Sequence, residues 1–491
     1  MVTPVRRILI SGVLVAALLT AACTDSEPDP AASGSTAPST AAPSSAGVDY
    51  TAWQGGTSTP VADPMYPGYG NPALDVLHYG LVLDWKPDTK TLTGTATLRI
   101  RAAAAVSDLK LDFSKAYTID EVTVNGAPAG GTVADTKLTV AGSLAKDAFA
   151  TLVVKYHGTP TTVPMPSHRT DSEPLGLTVT KDGGLWTMQE PYGASTWYPA
   201  NDQPSDKALY DIAVTVPEGW SAIASGTAQA PEGTTFKYTA TAPVASYLTT
   251  LAVGKYQKET AAGPHGIPLT YWWRAGADDK ALPYLRKSPQ YLTWLEQRFG
   301  PYPFDSGGVL MVPSASGMET QQMITMGLPD YGSEAAFKTG FDADLLHEYA
   351  HQWFGDAVTP TNWNDLWLNE GWATYAQHLY TNERDKVTAK AWEDWARGVD
   401  ARLRQRLGPP GKPKADSFAE SNVYMCPALM LHQIHKQIGD TAFFAMATDW
   451  AQKHRNTTQD RASFIAFVNQ HTGKDFTSLI NTWLDSPTTP K

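Results

Sequence analysis

The segment His347-Glu348-Tyr349-Ala350-His351, followed after 18 residues by Glu370, constrains this chain more than any other feature. On an α-helix, residues four apart lie about 40° apart around the axis, since each residue turns about 100°. Both imidazoles can therefore face one point, and Glu370, within Asn369-Glu370-Gly371-Trp372-Ala373, must reach it from a second helix. The first helix is expected from about Asp342 to Phe354, with Gly355 as its C-terminal cap. Asp365 would cap the second helix, and Leu366, Trp367 and Tyr375 give it an apolar side. Two histidines and one carboxylate with a fourth position left open describe a catalytic zinc site; structural sites are usually closed by four protein ligands. One Zn2+ held by His347, His351 and Glu370 would lower the pKa of a water molecule to about 7. Glu348, beside the first histidine, would take that water's proton and pass it to a departing amine. His432 and His435 share the spacing of ligands but have no acidic residue placed to complete a site, so they read as coincidence.

The apolar periodicity changes along the chain. From about 49 to 258 it is two, as in Leu92 to Ile100, where even positions are apolar or small and odd ones polar. Ile212, Val214 and Val216 alternate likewise before a turn at Pro217-Glu218-Gly219. Such runs between Gly-, Pro- and Asp-rich turns predict an all-β domain, an antiparallel sandwich or saddle. From 259 to 491 the signals are helical: Ser288-Pro289 reads as a cap and first-turn pair, Leu292, Leu295 and Phe299 line one face, and Gly300-Pro301 stops the helix. The fold class expected is α+β and multidomain, with the β domain packed on a mostly helical catalytic domain.

The amino-terminal 48 residues belong to neither part. Arg6 and Arg7 precede a short apolar run, Ile8 to Leu19, and Thr20-Ala21-Ala22-Cys23 follows. A run this short reads as a signal peptide, not a membrane span. Small residues before Cys23 suggest lipoprotein processing over 1–23, with ordinary cleavage after Ala22 as the alternative. Residues 24–48, rich in Ser, Ala, Thr and Pro, would form a flexible tether. The expected location is the outer face of the cytoplasmic membrane, held only by a lipid, or the medium. Cys426 is the one cysteine besides Cys23, so a chain processed there has no internal disulfide. A net charge of −11 argues against nucleic-acid partners, while an acidic cleft would favour substrates carrying a free amine. A monomer is expected.

His347 to Gly355, the 18-residue gap and Leu368-Asn369-Glu370-Gly371 resemble the zinc site of the aminopeptidase N and leukotriene A-type hydrolase family of gluzincins. Arg298-Phe299-Gly300-Pro301-Tyr302-Pro303 is similar to that family's entry into its thermolysin-like catalytic domain, and the similarity spans roughly 70 to 440. The resemblance implies an exopeptidase motif, Gly-x-Met-Glu-Asn, at Ser316-Gly317-Met318-Glu319-Thr320, which departs from the pattern at Ser316 and Thr320. Glu319 would bind the substrate's α-amino group, and the backbone at Gly317 and Met318 would pair with the extended peptide. The resemblance also implies a second amine-binding carboxylate at Glu190, ahead of Tyr198-Pro199-Ala200-Asn201-Asp202-Gln203-Pro204; Met188 replaces the family's glutamine, and Gln189 is adjacent. Tyr424 resembles the tyrosine that donates a hydrogen bond to the tetrahedral oxyanion, with Pro427 where the family has glycine.

These readings converge on a zinc metallo-aminopeptidase acting on peptides with a free amino terminus. A zinc endopeptidase or an epoxide hydrolase could use the same metal, and a non-catalytic peptide-binding lipoprotein is the rival from a different class.

Overall fold

The alternating β stretch builds one broad sheet. In the computed structural model, which describes residues 48–169 and 173–491, eight strands lie in the order Thr227–Ala228, Thr235–Ala245, Lys207–Thr215, Leu74–Lys86, Thr91–Ala102, Phe149–Gly158, Tyr117–Val124 and Ala127–Pro128. The even positions from Leu92 to Ile100 are buried and the odd ones partly or fully exposed. The sheet is not purely antiparallel: Leu74–Lys86 pairs with Lys207–Thr215 in parallel, with His78 opposite Leu209 and Asp84 opposite Thr215. A three-stranded sheet (Val106–Asp112, Lys137–Leu144, Gly131–Ala134) and a four-stranded one (Ser221–Ala224, Leu251–Gly254, Leu185–Met188, Gly176–Val179) pack with it around one apolar cluster.

The second part opens with a mixed five-stranded sheet that helical periodicity does not announce: Gln257–Ala262, Pro268–Trp273, Gly307–Met311, Met323–Met326 and Gly317–Met318. Gly307–Met311 and Met323–Met326 are buried at every position, so their sequences run apolar without alternating. Nine α-helices accompany this sheet among the described residues, the first two inserted between Pro268–Trp273 and Gly307–Met311: α1 (Leu282–Leu285), α2 (Ser288–Phe299), α3 (Glu334–His351), α4 (Trp367–Asp385), α5 (Ala389–Leu407), α6 (Asn422–Ile438), α7 (Asp440–Lys453), α8 (Arg461–Thr472) and α9 (Thr477–Asp485). Trp353, Trp367, Trp372 and Trp450 are fully buried between them. The β core extends into this part through Leu310, Met318, Trp363 and Phe418, so the two parts share an apolar interior.

Three helix ends differ from expectation. α3 begins eight residues earlier than Asp342, because the Ser333 hydroxyl accepts a hydrogen bond from Ala336 N at 3.1 Å and caps it. It ends at His351, and Gly355 instead serves a turn beyond it, with φ +133° and its N–H on Val358 O. Asp365 does not cap α4: its carboxylate accepts from the Trp367 indole N–H at 2.8 Å and from Arg461 N at 3.2 Å. Ser288 lies inside the first turn of α2 and donates to Leu285 O, so it is no cap. The proposed leader, Cys23 and the tether up to residue 47 lie outside the described residues. Among the described residues no helix is long and apolar enough to cross a membrane.

Candidate active site

α3 and α4 pack against each other, and that contact brings His347, His351 and Glu370 together. The two Nε2 atoms are 3.0 Å apart, and Glu370 Oε2 is 3.3 Å from His347 Nε2 and 3.4 Å from His351 Nε2. These edges match a tetrahedron with bonds of about 2.0–2.1 Å, whose edge is roughly 3.3 Å, the geometry zinc takes with nitrogen and oxygen donors. His351 Nδ1 lies 3.0 Å from Phe354 O, a carbonyl that can only accept, so the proton sits on Nδ1 and the Nε2 lone pair faces the triangle. Burial opposes charge on His351, but Glu319, Glu370 and Glu348 hold its pKa well above the ordinary histidine range. That much negative charge around one imidazole calls for a cation. The residues present therefore fit a divalent zinc ion.

Glu348 points into the same space. Its carboxylate, Glu319 and His351 bring donor atoms within 4.8 Å of one another. Burial, reinforced by Glu319 and Glu370, holds Glu348 well above the usual carboxylate range. Gly317 makes this approach possible: a Cβ there would lie 2.6 Å from Glu348 Oε1 and 2.9 Å from Met326 Sδ.

Glu319 and Glu190 come from separate parts of the chain. Glu319 follows the short strand Gly317–Met318, whereas Glu190 follows Leu185–Met188, and the Glu190–Pro191 peptide is cis. Each is buried and keeps one oxygen, Oε1, without a hydrogen-bond partner. Burial raises the pKa of both, and the Glu319 charge adds to the rise at Glu190. Two such carboxylates in one cleft have a demand for donors that the protein itself does not meet.

The departures from the family pattern have local explanations. Thr320 is buried, and its hydroxyl closes the turn between Gly317–Met318 and Met323–Met326 by donating to Met323 O. Ser316 O accepts from Gly327 N at 2.8 Å, so its role in that hairpin is carried by the backbone. Pro427 lies inside α6, where it would meet a Cβ on Gly371 at 2.7 Å. Helix α6 continues through the proline, with Gly371 giving it room beside Glu370.

Tyr424 stands in the first turn of α6, its ring stacked on His347 with centroids 6.0 Å apart. His347, Glu348, His351, Glu370, Glu319, Glu190, Gly317, Met318 and Tyr424 all border a single cleft of about 1260 Å³. Eight acidic residues line it against two arginines and no lysine among the described residues, so the cleft is acidic as expected.

Some supporting residues escape a reading by motif. Gln352, next to His351, donates from Nε2 to Glu319 O at 3.0 Å and accepts from Gln322 N at 2.8 Å. It therefore fastens the loop carrying Glu319 to the end of α3; its place beside His351 in the histidine motif was the available signal. Gln189 faces inward, not into the cleft. Its Nε2 donates to Ser246 O at 2.8 Å and Thr249 O at 2.6 Å, and its Oε1 accepts from Trp197 Nε1 at 3.0 Å. Asp202 holds the loop after Glu190 through Gly193 N and Ser195 N, both at 3.1 Å. Arg169, from the β-rich part, reaches the Tyr424 hydroxyl at 3.0 Å. His432 and His435 both contact the Tyr375 hydroxyl, at 3.2 and 2.8 Å. Acids from other helices approach them, Glu393 at 3.6 Å from His432 and Asp440 at 3.0 Å from His435.

The chain is similar to known metallopeptidases in sequence and in structure. Residues 284–483 match the model of the peptidase family M1 domain, and 76–248 match the peptidase M1 N-terminal domain. The chain is 27% identical over 338 residues to aminopeptidase N of Streptomyces lividans, covering 62% of this chain and 38% of that protein. It is 26% identical over 451 residues to the tricorn protease-interacting factor F2 of Thermoplasma acidophilum, covering 86% and 54%. The chain thus spans about half or less of these relatives' length. An M1 zinc metallopeptidase of Deinococcus radiodurans, crystallised as a mutant with a Tyr-Ser-Ala substrate, superposes with a TM-score of 0.77 at 27% identity. That match covers 88% of this chain and 99% of the other. Yeast LTA4 hydrolase, at 18% identity and a TM-score of 0.69, shares the fold; 85% of this chain and 69% of that one are covered.

Proposed function

Since the chain belongs to peptidase family M1, with the N-terminal and catalytic modules of that family both present, we propose that it is a zinc aminopeptidase removing N-terminal residues from peptides. The observation that carries this reading is the pair of buried, unpartnered carboxylate oxygens on Glu190 and Glu319, in the same cleft as the His347–His351–Glu370 triangle. A free α-amine has a pKa of about 7.7–8.0 and is mostly charged at neutral pH. Two carboxylates beyond the metal triangle accept it and hold the scissile bond one residue from the chain end. The substrate-bound Deinococcus structure is consistent with a peptide in this cleft.

His347, His351 and Glu370 hold the zinc, which when bound supplies a Lewis acid for the scissile carbonyl and lowers the pKa of water to about 7. Glu348 takes the proton of the attacking water and delivers it to the departing amine nitrogen. The Tyr424 hydroxyl donates to the oxygen that becomes negative in the tetrahedral transition state, an interaction commonly worth about 3 kcal/mol. The backbone of Gly317 and Met318, at the outer position of the five-stranded sheet, pairs with the extended peptide.

The test uses protein lacking residues 1–48 and compares aminoacyl anilides with their N-acetylated forms, with and without a zinc chelator. Chelator-sensitive cleavage of the free-amine substrates alone is expected. Equal cleavage of blocked substrates would mean an endopeptidase.

The sequence of residues 1–23 supports export and lipidation at Cys23 as part of the same reading. Cys23→Ala is expected to move the protein from the membrane fraction to the medium; unchanged membrane association would reject the anchor.

A further inference from the structure

After strand Phe149–Gly158, the loop of residues 159–169 leaves the β-rich part and reaches the start of α6. Two backbone ties fix it: Val163 and Leu175 pair across its base, and Pro166 O accepts from Phe418 N at 2.9 Å. Phe418 is buried against Trp363 and Tyr66, so this second tie rests on the shared core. From this loop the half-buried Arg169 sends Nη1 to two oxygens, Ala419 O at 2.9 Å and the Tyr424 hydroxyl at 3.0 Å. The guanidinium carbon lies 5.7 Å from the Tyr424 ring centre.

A guanidinium has only donors, and each terminal nitrogen carries two hydrogens. One hydrogen of Nη1 goes to the Ala419 carbonyl and the other to the phenol oxygen. Tyr424 is therefore the acceptor in its contact with Arg169, and its own proton must point elsewhere. Glu370, one of the three groups of the metal triangle, is a hydrogen-bonding neighbour of the same hydroxyl, and Tyr424 lines the cleft, so that direction is the metal side. A charge-assisted bond to the phenol oxygen also polarises the O–H and strengthens it as a donor.

We infer that Arg169 is a positioning residue for the reaction: it orients the Tyr424 hydroxyl toward the reacting carbonyl and strengthens its donation across the junction of the two parts. The inference rests on the reading of Tyr424 as the oxyanion donor. On that basis, the β-rich part supplies support for the transition state as well as an amine anchor.

The experiment is a double-mutant cycle on the zinc-loaded chain with one free-amine anilide, measuring kcat and KM separately, together with zinc content and Tm. Tyr424→Phe is expected to lower kcat on the order of a hundredfold. Arg169→Met should lower kcat roughly tenfold at nearly unchanged KM, and should have no further effect in the Tyr424→Phe background. Arg169→Lys, which keeps a charged donor, should recover part of the loss, and it carries the same cycle if Arg169→Met does not fold. An equal loss in both backgrounds, or a loss confined to KM or Tm, would overturn the positioning role. A Tyr424→Phe enzyme with parental kcat would instead reject the reading of Tyr424, and the inference with it.

Discussion

At the metal end of the cleft, His347, His351 and Glu370 stand on two long helices, α3 and α4, that pack directly on each other. At the amine end, Glu319 and Glu190 stand at the ends of short strands in separate sheets, 129 residues apart in the chain. The metal end inherits its geometry from a helix period and one helix contact. The amine end depends on polar braces: Gln352 on the Glu319 carbonyl, and Gln189 and Asp202 around the segment holding Glu190. The difference teaches that chemistry and specificity are built separately here, so variants should separate them.

The sharpest separation comes from Glu348→Gln. It should keep stoichiometric zinc and lose activity by about a thousandfold or more, within the range for general acid–base groups; near-parental turnover would remove Glu348 from the mechanism. On the amine side, Glu319→Ala should leave zinc content alone and raise KM for free-amine substrates by about ten- to a hundredfold, as for a charged hydrogen bond removed. If instead the zinc is lost, the two ends are not independent and the comparison breaks. Gly317→Ala probes the point where they meet, since the added methyl falls 2.6 Å from Glu348 Oε1. Overpacking of this kind costs about 1–3 kcal/mol, so kcat should fall by roughly tenfold with zinc retained; unchanged kcat would show that Glu348 can move away freely. The smallest effect is expected from Gln352→Leu, which removes the brace between the ends while preserving both sets of charges. A rise in KM of a few-fold, with a Tm lowered by about 2–4 °C, corresponds to about 1 kcal/mol. A loss of zinc there would show that the brace serves the metal end.

The metal end was legible in the sequence because it is local. The four-residue step from His347 to His351 is about one helical turn, and no distant contact is needed to place both imidazoles on one side. The strand face from Leu92 to Ile100 was legible for the same reason, since one face of that sheet is buried. Strands buried on both faces carry no alternation, and Gly307–Met311 and Met323–Met326 went unread among the helical signals. The helix ends were poorly legible because their hydrogen bonds compete with other partners: Asp365, next to a helix start, gives its carboxylate to an indole.

What the sequence determined by itself is the metal chemistry and the alternation of the broad sheet, both set by backbone periods of 3.6 and 2. Tertiary structure alone decided that Glu190 and Glu319 border one cleft, that Met188 lines it while Gln189 turns inward, and that Arg169 reaches Tyr424 across 255 residues of chain. A period fixes directions only within one element. Directions between elements come from the packing of a shared core, and in this protein that core joins the β sheets to Trp363 and Phe418.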